Sequence, residues 1–338
     1  MQSKQTMGTG KKYKVFVSRQ IPETGLAVLR PKCEVDVYPG DQAIPRHLLL
    51  EKVKDADGLL CLLSEKIDPE LFTHAPGLRV VSNCAVGYDN IDVAYATKIG
   101  VVVTNTPGVL TDATADLSWA LLLAAARRLI EGDQIMRNHQ FTGWAPLFLL
   151  GQDIKGKTLG ILGAGRIGTA LAERSVGWQM PILYFDRRPN PYLEKTLAAR
   201  KVEFTELIQK SDFISIHLPL STETHHLINE TTFKQMKKSA IIVNTSRGAI
   251  IDEKALVKAL ENQQIAGAGL DVFENEPNMA AGLEKLPQAV VVPHIGSATI
   301  HTRGEMARIA AENLLKVLEG NPPEFAVNPE VLKKRINQ

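Results

Sequence analysis

Thr158-Leu-Gly-Ile-Leu-Gly-Ala-Gly-Arg-Ile-Gly168 is the stretch that decides how this chain folds. Its apolar run, Leu159–Leu162, predicts a short buried strand. Gly163-Ala-Gly165-Arg-Ile-Gly168 then breaks the run, and Thr169-Ala-Leu-Ala-Glu-Arg174 has the composition of a helix. A strand, a tight glycine turn and a helix start in that order make a phosphate site. Gly163 supplies the turn, Gly165 lets a pyrophosphate approach the backbone, and Gly168 allows close helix–strand packing. The first free N–H groups of the helix face the anion. Gly163, Gly165, Arg166, Ile167 and Gly168 are therefore the expected phosphate-turn contacts of a dinucleotide. A second apolar run, Ile182–Phe185, ends in Asp186, close to the ~20-residue spacing at which a ribose-binding carboxylate is expected.

Outward from this stretch the chain alternates strand-like and helix-like segments, the pattern of parallel α/β folds. On the N-terminal side, strands are predicted over residues 14–17, 34–37, 58–63, 79–82 and 101–104, with helices over 22–29, 46–53, 69–74 and 91–98. One long helix is predicted over 111–130, with Thr111 as N-cap, acids near its start and Arg127-Arg128 near its end. On the C-terminal side, strands are predicted over 213–218, 240–244, 267–273 and 289–292, completing a six- or seven-stranded sheet around the dinucleotide. A last long helix over 300–319 returns the chain to the first unit. The expected architecture is α/β, with two doubly wound parallel-sheet domains. One is a Rossmann dinucleotide-binding domain over 109–297, and the other a smaller, discontinuous, flavodoxin-like substrate domain over 1–108 and 298–338. A loose echo between residues 57–105 and 212–244 is what any two parallel α/β units share.

A chain of 338 residues exceeds what one compact core usually supports, in line with two domains. Its formal net charge of +2, with no basic stripe interleaved with aromatics, gives no footprint for nucleic acid. No apolar stretch approaches the ~20 residues that span a bilayer, so no membrane partner is expected. Cys33, Cys61 and Cys84 lie in or beside apolar runs without metal-ligand spacing; they are expected to be reduced core residues of a cytoplasmic protein, and no metal site is expected. The polar segment 1–12 lacks a signal-peptide core and is expected to fray. Residues 138–150, Asn-His-Gln-Phe-Thr-Gly-Trp-Ala-Pro-Leu-Phe-Leu-Leu, are apolar and aperiodic. They must bury themselves against a partner subunit or against their own domain.

Loops that follow strand C-termini carry the chemistry of open α/β sheets. Three such loops offer reactive side chains: Thr245-Ser-Arg-Gly248, Glu274-Asn-Glu-Pro277 and Pro293-His-Ile-Gly-Ser297. Hydride delivery to a ketone leaves an alkoxide, so a proton donor must stand at the carbonyl oxygen and a cation must hold a substrate carboxylate. His294 has the titration range of such a donor, Glu276 could favour its protonated form, and Arg247 has the rigid fork for a carboxylate. Each also has an ordinary alternative: a surface ion pair for Arg247, a solvated acid for Glu276, a satisfied core histidine for His294. His217, His225 and His226 are expected to be structural or exposed. At the ribose, Asp186 favours NAD, whereas the following Arg187 and Arg188 could pair with the 2′-phosphate of NADP.

Residues 163–168, Asn244-Thr-Ser-Arg-Gly248, Gly269-Leu-Asp-Val-Phe-Glu-Asn-Glu-Pro277 and Pro293-His-Ile-Gly-Ser-Ala-Thr299, in that order, resemble the D-isomer-specific 2-hydroxyacid dehydrogenases. The resemblance spans about residues 14–329. Gly58-Leu-Leu-Cys-Leu-Leu-Ser-Glu65, Asn105-Thr-Pro-Gly-Val-Leu-Thr-Asp-Ala-Thr114 and His294-Ile-Gly-Ser-Ala-Thr299 are most similar to its glyoxylate/hydroxypyruvate reductases. The resemblance implies Arg247, Glu276 and His294 as the catalytic set. It also implies substrate contacts at Leu62, Val86, Gly87, Trp144 and Ser297, and cofactor contacts at Asp186, Arg187, Thr245 and Asp271, the last holding the nicotinamide carboxamide. It places residues 131–155 in a dimerisation arm that sends Trp144 into the partner's active site.

Departures from neighbouring branches narrow the expectation. NADPH-preferring reductases of this group lack an acid at the position of Asp186, formate dehydrogenases have Gln where this chain has Glu276, and phosphite dehydrogenases have Lys where it has Val86. The chain is thus expected to be a cytoplasmic homodimer that reduces small 2-oxo acids, glyoxylate and hydroxypyruvate, to D-2-hydroxy acids. NAD(H) is favoured and NADP(H) possible. A 2-ketogluconate reductase with the same mechanism, or a dinucleotide-sensing corepressor-like protein, are the competing expectations.

Overall fold

The computed structural model describes residues 12–336; the N-terminal tail expected to fray falls, but for Lys12, outside the described residues. The chain divides into two compact units, one running up to Val109 and resuming at Thr299, the other comprising Leu110–Ala298. Both doubly wound parallel sheets anticipated from the sequence are present.

The first unit contains β1 (Tyr13–Val17), β2 (Cys33–Val37), β3 (Gly58–Cys61), β4 (Val80–Asn83) and β5 (Val102–Thr104), in the order β2-β1-β3-β4-β5 with every pairing parallel. This is the flavodoxin-like order. All residues of β3, β4 and β5 are buried, which explains runs that do not alternate, with Ser82, Asn83 and Thr104 as buried polar residues at the strand ends. One face of the sheet packs through Val15, Val17, Leu60 and Val80 on Ala310, Ala311, Leu314 and Val317 of the long helix Ile300–Leu318. The other packs through Phe16, Leu59 and Val81 on Leu49, Val53, Leu71 and Phe72.

The second unit contains β6 (Leu159–Leu162), β7 (Ile182–Phe185), β8 (Arg200–Lys201), β9 (Phe213–Ile216), β10 (Ile241–Asn244), β11 (Gly267–Leu270) and β12 (Ala289–Val291). Their order is β12-β11-β10-β9-β6-β7-β8, again all parallel. The chain leaves β6 for β7 on one side and later returns to its other side as β9. The crevice at this reversal, beyond the strand C-termini, is where such a sheet binds its ligand.

The structure corrects several sequence boundaries, each for a physical reason. The helix expected to run unbroken over 111–130 is two helices, Thr111–Ala126 and Leu129–Arg137. Arg128 adopts a left-handed backbone (φ 53°), and the Ala126 carbonyl leaves the helix pattern to accept from Gln152 N–H at 2.8 Å. Its N-cap is Leu110, not Thr111, and no side chain caps it. β3 stops at Cys61 rather than 63 because the Leu62 N–H donates to Glu65 Oε2 at 2.7 Å. β9 and β11 stop at Ile216 and Leu270 because their neighbours β6 and β10 end at Leu162 and Asn244. The two-residue edge strand β8 was not anticipated: Arg200 and Lys201 are exposed, and only the flanking Ala199 and Val202 are buried.

His217 lies just past β9. Its backbone N–H donates to Leu162 O at 2.7 Å, and its Nε2 pairs with Ser215 Oγ at 2.9 Å. Nδ1 is buried without a hydrogen-bond partner, and burial pushes the imidazole down to about 3. In the unfolded chain the ring titrates near its ordinary ~6.5. As pH falls below that value the unfolded state takes the proton first, so stability drains away between the two values. His217→Gln is expected to lose less stability than the parent between pH 7 and pH 5 in urea unfolding; an equal loss would contradict the assignment.

Candidate active site

At the glycine turn, Gly163 has φ +97°, and its N–H donates to Phe185 O at 2.9 Å. A Cβ on Gly168 would lie 2.1 Å from the Gly163 carbonyl oxygen, so the helix Arg166–Arg174 sits against the turn as only glycine permits. Gly165 faces open space: a Cβ there would meet nothing within 4 Å. Arg166 is exposed and Ile167 half-buried at the first helical positions. An open approach to a nine-residue helix start with unused N–H groups fits a pyrophosphate. Asp186, at the end of β7, accepts from Ala164 N–H at 2.8 Å and from Arg188 N–H at 3.1 Å, which ties it to the turn and leaves lone pairs for ribose hydroxyls. The Arg187 side chain extends into solvent, 3.7 Å from Glu223.

Arg247, Glu276 and His294 stand on the loops that follow β10, β11 and β12. Adjacent parallel strands deliver these three loops to one edge of the sheet. Asn244, fully buried at the end of β10, holds the first loop: its Oδ1 accepts from Ser246 N–H at 3.0 Å and its Nδ2 donates to Arg247 O at 2.9 Å. Gly248 then lets this loop press on the next one, since a Cβ would fall 1.9 Å from the Phe273 carbonyl carbon. The Thr245 hydroxyl is buried against Ser118 Oγ at 2.8 Å.

The second loop is braced from below. The buried carboxylate of Glu253 accepts from the N–H groups of Glu274 and Ala280. Glu276 Oε1 accepts from Phe273 N–H at 3.1 Å, and Oε2 lies 2.9 Å from His294 Nδ1. Burial opposes the charge of Glu276, but the hydrogen bond and charge of His294, the Phe273 N–H and the charge of Arg247 together hold its carboxyl below the usual range. Pairing at Nδ1 leaves Nε2 as the ring atom for a substrate.

The third loop hangs on Asp271, 1% exposed. Its Oδ1 accepts from Ile295 N–H at 2.6 Å and Oδ2 from Gly296 N–H at 2.8 Å. Burial pushes this carboxyl up even though both donors oppose the shift. His294 itself has φ 52° and donates its N–H to Asp271 O at 2.9 Å. Ser297 follows, half-buried. Asp271 was read from the sequence as a cofactor contact; its part in aiming the His294 loop was missed, as were Asn244 and Glu253. A polar residue closing an otherwise apolar strand signals Asn244. Glu253 carried no such sign, because an acid in the first turn of a helix is ordinary.

Leu62, Val86 and Gly87 belong to the first unit. Leu62 is half-buried, its carbonyl accepting from Asn90 Nδ2 at 3.1 Å. Asn105 and Asn83 donate to the carbonyls of Val86 and Gly87, each at 2.8 Å, which fixes the peptide planes of the loop. No protein acceptor takes the N–H of Val86 or Gly87 among the described residues. Trp144 is 84% exposed, on an irregular segment that also exposes Phe141, Leu147 and Leu150.

The family model for the D-isomer specific 2-hydroxyacid dehydrogenase, NAD binding domain, matches residues 119–296. A glyoxylate reductase of Thermococcus litoralis is 51% identical over 325 residues, covering 95% of this chain and 98% of its own. The crystal structure of a glyoxylate reductase from Paecilomyes thermophila is similar with a TM-score of 0.84 at 34% identity, covering 94% of this chain and 99% of that one. An NADPH-dependent glyoxylate/hydroxypyruvate reductase of Sinorhizobium meliloti, solved with NADP and malonate, matches with a TM-score of 0.83 at 31% identity, covering 94% and 97%. By its fold, its glycine turn, its paired histidine and glutamate and these likenesses, the chain belongs to the D-isomer-specific 2-hydroxyacid dehydrogenases.

Proposed function

We propose that the chain reduces glyoxylate and hydroxypyruvate to D-2-hydroxy acids at the expense of a nicotinamide dinucleotide. The observation that carries this is the 2.9 Å pair of His294 Nδ1 and Glu276 Oε2, set at strand ends of the unit that bears the glycine turn. The names of the relatives at about half identity support the substrate. The bound dinucleotide supplies the hydride and would be held by Gly163, Gly165, Arg166, Ile167, Gly168, Asp186, Arg187, Thr245 and Asp271. Arg247 binds the substrate carboxylate and polarises the carbonyl. His294 gives its proton to the carbonyl oxygen as negative charge develops there, and Glu276 keeps the imidazole oriented. By the resemblance Leu62, Val86, Gly87 and Ser297 would contact the substrate; that no protein acceptor among the described residues takes the N–H of Val86 or Gly87 supports a carboxylate there.

Asp186 supports NAD(H) as the preferred cofactor, since its carboxylate repels a 2′-phosphate. The three cysteines are free, and burial pushes the thiols of Cys33 and Cys84 up to about 11 and about 12, which fits unreactive core residues of a cytoplasmic protein. Among the described residues no helix is long and apolar enough to cross a membrane. The exposed Met136, Phe141, Trp144, Leu147 and Leu150 support a dimer built on residues 131–155, with Trp144 reaching the partner's site.

Initial rates on glyoxylate, hydroxypyruvate and 2-ketogluconate, each with NADH and NADPH, test the substrate and cofactor together. Turnover is expected to be best with the two small acids and NADH; preference for 2-ketogluconate, or no oxidation with any acid, would overturn the proposal. Trp144→Ala is expected to leave a folded chain with raised KM, and Leu147→Asp to shift the sedimentation coefficient towards that of a monomer. A parent chain that sediments as a monomer at micromolar concentration contradicts the dimer.

A further inference from the structure

A second cluster of chemically able side chains lies in the dinucleotide unit, apart from the His294–Glu276 pair. His225, His226 and Glu274 each bring one ligand atom to within 4.8 Å of the others. His226 Nε2 is 2.9 Å from Glu274 Oε1, and the two imidazoles stack with centroids 4.0 Å apart and planes 26° from parallel. We infer that His225, His226 and Glu274 form a binding site for a divalent transition-metal ion, zinc foremost.

An ion pair alone accounts for His226 with Glu274 but not for the second imidazole stacked upon the first. An imidazole offers an in-plane nitrogen lone pair to a metal ion, and here two imidazoles and a carboxylate present their ligand atoms to one another. Two imidazole nitrogens and one carboxylate oxygen are a borderline donor set that suits Zn²⁺ and excludes Mg²⁺ and Ca²⁺, which take oxygen. Ligands at ~2.0–2.2 Å from a tetrahedral ion lie roughly 3.3–3.6 Å apart, so the His226–Glu274 pair at 2.9 Å has to open by about 0.5 Å and the widest separation, up to 4.8 Å, to close by about 1 Å. His225 is exposed and can turn to do so, while water completes the sphere.

The other two donors stand on fixed backbone. His226 donates its N–H to Ala249 O at 2.9 Å, and the Ile228 N–H follows to Ile250 O at 3.1 Å. The N–H of Glu274 is held by the buried Glu253. A bound ion therefore ties the segment around residue 225 to the loop that carries Glu276 two residues beyond Glu274, and stiffens that loop without touching the reacting atoms.

The test is calorimetric titration of the chelator-treated protein with Zn²⁺ alone. One ion per chain is expected, with affinity falling more than about tenfold in His225→Ala, a loss that even an outer-shell change can produce. Affinity is expected to persist in His294→Ala and in the exposed-surface control His47→Ala, and Mg²⁺ is expected to give no binding. Unchanged affinity in His225→Ala, or binding lost in His294→Ala and kept in His225→Ala, would overturn the assignment.

Discussion

The site depends on one buried carboxylate. Asp271 directly follows β11 and grips the N–H groups of Ile295 and Gly296 on the loop after β12, at 2.6 and 2.8 Å. Removing that carboxylate would leave two N–H donors without partners, Gly296 N–H in a fully buried setting, at a cost of about 1–3 kcal/mol each when buried. It would also free the loop that holds His294 in a left-handed backbone at 2.9 Å from Glu276. Asp271 bears its own burial, which pushes its carboxyl up, and this buried polar group just past the strand fixes the loop that carries the His294 imidazole.

The same device recurs along the sheet edge. Asn244 closes β10 and orders the Arg247 loop; Glu253 reaches from the helix Glu253–Glu261 to order the Glu276 loop. Three consecutive parallel strands thus present an arginine, a glutamate and a histidine, each on a loop pinned by a buried polar side chain. Preorganisation of this kind is what electrostatic stabilisation of a developing alkoxide requires, because the groups need not rearrange during the reaction.

Much of the fold is legible in the sequence. Buried parallel strands carry apolar runs without alternation, so the runs around Leu159, Ile182, Phe213 and Ile241 located the sheet, and the runs around Ile241, Gly267 and Ala289 located the loops that bear Arg247, Glu276 and His294. Strand ends were overrun wherever an apolar run outlasted its hydrogen-bonding neighbour, as at Leu218 and Phe273, because periodicity records burial and not pairing. The break at Arg128 escaped for a related reason: it is set by the contact of Ala126 with Gln152, 26 residues away. The bracing by Asp271 and Glu253 is a product of folding at long range. Asp271 was visible as a residue type in the right loop, while what it bonds was not.

The central claim is that His294 delivers the proton and that the rest of the edge exists to aim it. The most direct measurement is single-turnover and steady-state NADH oxidation by His294→Ala, alongside NADH binding by fluorescence. Turnover is expected to fall by about 10²–10⁴ while the affinity for NADH stays within a few-fold of the parent. Turnover near that of the parent would contradict the account.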